Sequence, residues 1–235
     1  MNETVFITGA DKGLGFSLAN KFLHERCGVF AGKYVSEINL RPLAERFPHT
    51  LTIVPLDVTN MDSVRRAVKA VSERTSALDV LINNAGVILE DTEAPLEQLD
   101  LTDGHLEREM DVNAFGPLRV TQQFLPLLRK GKRKLIINIS SEAGSIAECQ
   151  RDRWYAYCMS KTALNMESKI LQNYLGPEGF KVLAIHPGWM QTDMGGPDAD
   201  IHPDDSAEGI FRLAARDWQP DDGIYMDYDA SPRRW

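Results

Sequence analysis

The sequence predicts an α/β protein in which a doubly wound, parallel sheet of about seven strands is flanked by helices, within one domain over residues 1–235. Three observations carry this. Short apolar runs rich in β-branched residues recur without apolar/polar alternation, the pattern of strands buried on both faces. Amphipathic stretches separate them, so the order reads βαβα throughout. No repeat, low-complexity tract or Pro/Gly/Ser-rich linker breaks the 235 residues, a length at which one α/β core is ordinary.

The first strand is expected at TVFITG (4–9), running into a helix through FSLANKFLHER. GVFAG (28–32) and LTIVPLDV (51–58) are the next two. MDSVRRAVKAVSERTS then places Val64, Ala67, Val68 and Val71 at helical spacing. A fourth strand is expected at LDVLINNAG (78–86), a long crossover helix between Asp103 and Lys130, and a fifth strand at KLIINISS (134–141). Another long helix runs through SKTALNMESKILQNYL, followed by a strand at KVLAIHPG (181–188). A last strand is expected at GIYMDYD (223–229), leaving ASPRRW as a short tail whose arginines are solvated.

A net charge of −8 argues against a nucleic-acid partner, though it leaves room for a local basic pocket around one phosphorylated ligand. No run approaches the roughly 18 uninterrupted apolar residues of a membrane helix, so no membrane partner is expected. The start, MNETVFITGA, has no basic segment followed by an apolar stretch, which implies a cytoplasmic protein. Cys27, Cys149 and Cys158 lack metal-ligand spacing and read as packing or loop thiols in a reducing compartment, with no metal site.

The first strand leads directly into TGADKGLG (8–15), where Gly9, Gly13 and Gly15 precede a helix. A strand, a tight glycine turn and a helix N-terminus let backbone N–H groups approach a pyrophosphate, so the turn, including Leu14 at the helix start, is a dinucleotide site. Further along, Tyr157 and Lys161 stand four apart at the start of a helix and share a face, whereas Tyr155 points mostly away. A free phenol titrates near pH 10, so proton exchange near neutrality requires its anion to be stabilised by roughly 3 pKa units, or about 4 kcal/mol. A neighbouring ammonium and a positively charged cofactor ring could supply this.

The spacing Gly-xxx-Gly-x-Gly, then LDVTN (56–60), NNAG (83–86), MDVNAFG (110–116), the serine pair of NISS, the Tyr157/Lys161 pair and PGWMQTDM (187–194), in that order, resembles the short-chain dehydrogenase/reductase family along essentially the whole chain. The resemblance implies a Rossmann fold with its substrate site formed by the loops after Ser141 and Gly188. It makes Asn113, Ser141, Tyr157 and Lys161 catalytic: Tyr157 as the acid/base, Ser141 on the substrate carbonyl, Lys161 also on the nicotinamide ribose, and Asn113 holding a relay water. It places Asp57 and Val58 at the adenine, Asn84, Ala85 and Gly86 along the cofactor cleft, and Pro187, Gly188 and Thr192 at the nicotinamide carboxamide. Asp57 could instead be a helix cap, a role Thr59 or Asn60 could also fill. Ser140 competes with Ser141, but the family pattern puts the serine three before a glycine, here Gly144. The sixteen-residue step from Ser141 to Tyr157 is longer than the family's commonest spacing. It resembles the C-factor and sniffer-type carbonyl-reductase-like branch, as do YAYCMSKTALNM and the ending DYDASPRRW.

No carboxylate stands at the end of the second strand; Lys33 does, and Lys12 precedes Gly13, which favours NADP(H) over NAD(H). The implied function is NADPH-dependent reduction of a ketone or aldehyde to an alcohol. The alternative is a nicotinamide-binding regulatory protein of the C-factor type. Trp154, Trp189, Met190 and Met194 are expected to wall an open apolar pocket, though each, Met194 above all, is equally suited to the core. Family members form dimers or tetramers through the helices carrying Asn113 and Tyr157, but Asn165, Glu167, Ser168 and Lys169, read as the exposed side of the latter, are too mixed to decide assembly.

Overall fold

The computed structural model describes residues 3–235. Seven strands, β1 (Thr4–Ile7), β2 (Gly28–Lys33), β3 (Leu51–Pro55), β4 (Val80–Asn83), β5 (Leu135–Ile139), β6 (Lys181–His186) and β7 (Tyr225–Asp227), form one sheet in the order β3-β2-β1-β4-β5-β6-β7. Every pairing is parallel, with Ile7 beside Ala31 and Ile82, and Asn83 beside Asn138. The Rossmann expectation is met. β4 and β5 are buried along their whole length, which is why their sequences show no polar alternation.

Successive strand residues face opposite layers. Val5, Ile7, Val80 and Ile82 join Leu18, Phe22 and Phe211, the layer of α1 (Gly13–His24), α2 (Leu40–Arg46) and α7 (Pro203–Ala215). Phe6, Leu81 and Ile136 join Val64, Val120 and Phe124, the layer of α3 (Met61–Ser72) and α5 (Gly116–Leu128), with α6 (Tyr155–Leu175) on the same side. Ring pairs stand at the two centres: Phe22 of α1 on Phe211 of α7 at 5.0 Å, helix against helix, and Phe6 of β1 on Phe124 of α5 at 4.4 Å, sheet against helix. The α3 stripe Val64, Ala67 and Val71 is buried, and Asn60 caps the helix by accepting from Ser63 N at 2.9 Å.

The crossover expected between Asp103 and Lys130 is built in three parts. A short α4 (His105–Met110) passes through a π turn at Asp111–Phe115 into α5. No helix among the described residues is long and apolar enough to cross a membrane.

Two expectations are corrected. The last strand is only three residues long, and the tail folds back: Asp227 N donates to Ser231 O, and the Arg233 guanidinium pairs with Asp227 and, at 3.0 Å, with Glu148. Arg233 is therefore structural rather than solvated; Arg234 remains largely exposed. On α6, Asn165 and Ser168 are buried, because the inner face of this helix is hydrogen-bonded rather than greasy. The exposed residues of α6 are Met159, Met166, Lys169, Ile170, Asn173 and Tyr174, so Lys169 stands on the outward side as expected.

Candidate active site

The connections leave β1 and β4 in opposite directions, opening a crevice at the carboxyl ends of these neighbouring strands, where α/β sheets bind ligands. The glycine turn lies in it. Gly9 adopts φ +62, and a Cβ on Gly15 would fall 2.1 Å from the Gly9 carbonyl oxygen and 2.5 Å from Asn84 Nδ2. Only glycine permits this approach. Asn84 Nδ2 donates to the carbonyls of Thr8 (2.9 Å) and Gly9 (3.1 Å), while Asn84 N and Ala85 N donate to Thr8 Oγ1. The end of β4 thus locks the turn. α1 begins at Gly13 without a side-chain cap or an acidic residue in its first turn, leaving amides of Gly13, Leu14 and Gly15 to face an anion. Leu14 contributes only backbone, its side chain being buried. This cradle, which a Cβ would fill, fits the pyrophosphate of a dinucleotide.

Lys33 ends β2 at the adenosine end of the crevice. The Asp11 carboxylate is turned onto the amides of Tyr34 and Val35 (3.4 Å each), and Arg108 reaches from α4 to Thr59 Oγ1 (3.0 Å). Asp57 accepts from Thr59 N at 2.9 Å and Thr59 Oγ1 at 2.7 Å; the helix cap is Asn60, which frees Asp57 from that role. Val58 packs against the α5 backbone, where a Cβ on Gly116 would lie 2.9 Å from it. Lys12 forms an exposed ion pair with Asp193 at 2.9 Å, and Thr192 lies over Gly13, so the segment after Pro187 and Gly188 closes against the glycine turn. Met190 packs against the core, one of the two roles open to it; Trp189 and Met194 are exposed, so neither of these is a core residue.

The four catalytic candidates converge beyond Gly86. Asn113 Oδ1 accepts from Val87 N at 2.8 Å, and its Nδ2 donates to Val87 O (2.9 Å) and Ser160 Oγ (3.0 Å). Both amide hydrogens are committed, which leaves only its oxygens able to accept from a water. Lys161 Nζ donates to Ile139 O at 2.9 Å and lies 5.6 Å from the Tyr157 ring centre. Ser140 Oγ donates to Asn165 Oδ1 at 2.6 Å and faces away from the crevice, while the Ser141 side chain meets Tyr157. Burial pushes the Tyr157 phenol up to about 12, with the Ser141 hydrogen bond opposing it. Burial also pushes the Lys161 ammonium down to about 8, opposed by the charge of Glu109. Trp154 stands beside Tyr157, edge to face at 6.0 Å, in a left-handed conformation (φ 67), and is covered by Arg151, which pairs with Glu142. Tyr155 turns away and donates to Asp152 O.

Three residues escape a reading of the sequence: Arg108, Glu90 and Glu109. Glu109 is one helical turn before Asn113, a spacing that could have flagged it; nothing local marks Glu90. Among the described residues no group of three or more His, Cys, Asp or Glu is placed to hold a metal.

A switch-point glycine cradle with a buried serine, tyrosine and lysine beside it defines a dinucleotide-dependent oxidoreductase. The chain belongs to the short chain dehydrogenase family, whose model matches residues 3–200. It is similar to the NADPH-bound carbonyl reductase from chicken fatty liver, with 32% identity, a TM-score of 0.88, and coverage of 100% of this chain and 99% of that one. The carbonyl reductase Sniffer of D. melanogaster superposes with a TM-score of 0.90 at 29% identity, over 100% of both chains. The C-signal of Myxococcus xanthus is 42% identical over 161 residues, which is 68% of this chain and 95% of that protein.

Proposed function

We propose that this protein is a cytoplasmic, single-domain NADPH-dependent carbonyl reductase that converts a ketone or aldehyde to an alcohol. The observation that carries the reading is the convergence of Ser141, Tyr157 and Lys161 beside the glycine cradle, with Ser140 committed elsewhere. When bound, NADPH supplies the hydride. The chain's own residues supply the rest: Ser141 donates to the carbonyl oxygen, Tyr157 hands its proton to that oxygen, and the Lys161 ammonium steadies the phenolate that remains. A phenol held near 12 keeps its proton throughout neutral pH, so the proton that reduction consumes is in place. Alcohol oxidation would instead require the phenolate, which the positively charged ring of the oxidised cofactor and the Lys161 ammonium would have to stabilise against burial.

NADP(H) is preferred over NAD(H) because Lys33 and Arg108 supply positive charge near the adenosine ribose while the Asp11 carboxylate is turned onto backbone. The chicken enzyme with NADPH bound supports the same choice. In this reading Asp57 and Val58 hold the adenine, the glycine turn and Lys12 the phosphates, Asn84 to Gly86 line the cleft, and Pro187, Gly188 and Thr192 hold the carboxamide. Exposed Trp189 and Met194 fit an open pocket and broad carbonyl specificity. Assembly as a homodimer or homotetramer through α5 and α6 belongs to the same reading.

Loss of NADPH absorbance with a panel of ketones, aldehydes and quinones tests the function. Tyr157→Phe is expected to lower kcat/KM by about 10²–10⁴-fold while NADPH still binds. The 42% identity to the C-signal carries a second reading, a nucleotide-binding regulatory protein. Tight NADPH binding with no turnover of any carbonyl would favour it.

A further inference from the structure

We infer that Glu90 and Glu109 are positioning residues for Tyr157: Glu109 fixes the turn after β4 so that the Glu90 carboxylate caps the helix carrying the phenol. This rests on Tyr157 being the acid/base of the reaction. α6 begins at Tyr155, and the first N–H groups of a helix need acceptors from outside it. The residue in the N-cap position is Trp154, which has no side-chain acceptor and is held edge to face on Tyr157. A Ser, Thr, Asp or Asn would ordinarily stand there. With that position occupied by an aromatic ring beside the phenol, the cap comes from elsewhere.

Glu90, 66 residues upstream and 7% exposed, supplies it: its Oε2 accepts from Ala156 N at 3.2 Å and its Oε1 from Tyr157 N at 2.9 Å. A carboxylate on the first amides of a helix makes charge-assisted hydrogen bonds and is favoured by the helix dipole. Glu90 is held in turn. Glu109, fully buried on α4, accepts through one oxygen from Leu89 N (2.6 Å) and Glu90 N (2.8 Å), while its Oε2 has no partner. One turn further along, Asn113 grips Val87 through both amide atoms. The segment 87–90 is thus fixed by α4 and the π turn, and it fixes the first turn of α6. Two carboxyls buried together are a costly way to cap a helix. The arrangement makes sense if the placement of the next residue, Tyr157, matters, and it ties the segment at the mouth of the site to the reacting group.

The test compares wild type, Glu90→Ala, Glu90→Gln and Glu109→Gln by kcat, KM for a reducible carbonyl, NADPH dissociation constant, and amide exchange at residues 156 and 157. Glu90→Ala is expected to lower kcat by about 10–100-fold, the scale of a misplaced catalytic group, with NADPH affinity within about twofold and exchange at both amides accelerated. Glu90→Gln retains an acceptor and is expected to recover most of kcat; Glu109→Gln should fall between, since its remaining oxygen still accepts. Wild-type kcat in Glu90→Ala, or a parallel loss of kcat and NADPH affinity that glutamine does not recover, would overturn the inference. If wild-type enzyme turns over no carbonyl, the proposed function fails, while unchanged exchange at 156 and 157 in Glu90→Ala separately refutes the brace.

Discussion

Burial acts on single residues in opposite directions here, depending on which form is charged. It raises Tyr157 and lowers Lys161, and on the same helix it pushes the Glu167 carboxyl up to about 8, with Oε1 buried and unpartnered. Unlike Lys161, Glu167 has no opposing charge to offset its desolvation. The consequence for stability has a definite sign. Between the ordinary carboxylate value of 4.5 and about 8, the folded chain holds a proton on Glu167 that the unfolded chain has released. Stability from this group is therefore full below pH 4.5 and is lost as pH rises through about 8. Glu167→Gln mimics the protonated form and should remove that slope. We expect the variant to match wild type at pH 5 and to exceed it by on the order of 2 kcal/mol at pH 9, measured by urea unfolding. An equal pH dependence in both proteins would contradict the assignment.

At the scale of elements, β7 and the tail act on the loop after Ser141. Tyr225 OH donates to Ser141 O at 2.7 Å, Trp235 stacks on Tyr225 at 4.9 Å, Ala147 N donates to Trp235 O, and Ser145 Oγ donates to Arg234 O. Removing the ring should loosen the loop without touching the glycine cradle. Trp235→Ala is expected to raise KM for a bulky carbonyl severalfold and speed amide exchange across residues 142–149, with NADPH affinity unchanged; an unaltered KM and exchange would refute the brace. None of this was legible in ASPRRW. Strands β4 and β5 announce themselves because unbroken apolar runs have few other uses. The tail has no periodicity, and its order comes from partners as distant as Glu148, 85 residues away from Arg233. The Tyr157/Lys161 pair was readable because four residues make one helical turn, whereas the Glu90 cap joins segments that only the fold brings together.

Across the whole molecule, the same distinction explains why the outward face of α6 could not be read correctly. Amphipathic helices usually bury their apolar stripe. Here the inward stripe is polar because it meets a row of side-chain hydrogen bonds: Ser160 with Asn113, Asn165 with Ser140, and Ser168 with Asn138, which continues to Asn83. Met159, Met166, Ile170 and Tyr174 are left outside, with Lys169 and Asn173 among them, and Phe115 and Leu118 are also exposed across the π turn and α5. Exposed apolar side chains in such number at one side of a protein mark an interface. A second copy fits, since a two-fold pairing presents the same stripe from both sides and buries it against itself. Wild type is then expected to run as a dimer or tetramer at micromolar concentration by light scattering. Met166→Glu with Ile170→Glu places like charges opposite each other and should give a monomer that keeps NADPH binding, because neither residue reaches the crevice. A monomeric wild type would leave the stripe to some other partner and refute self-association.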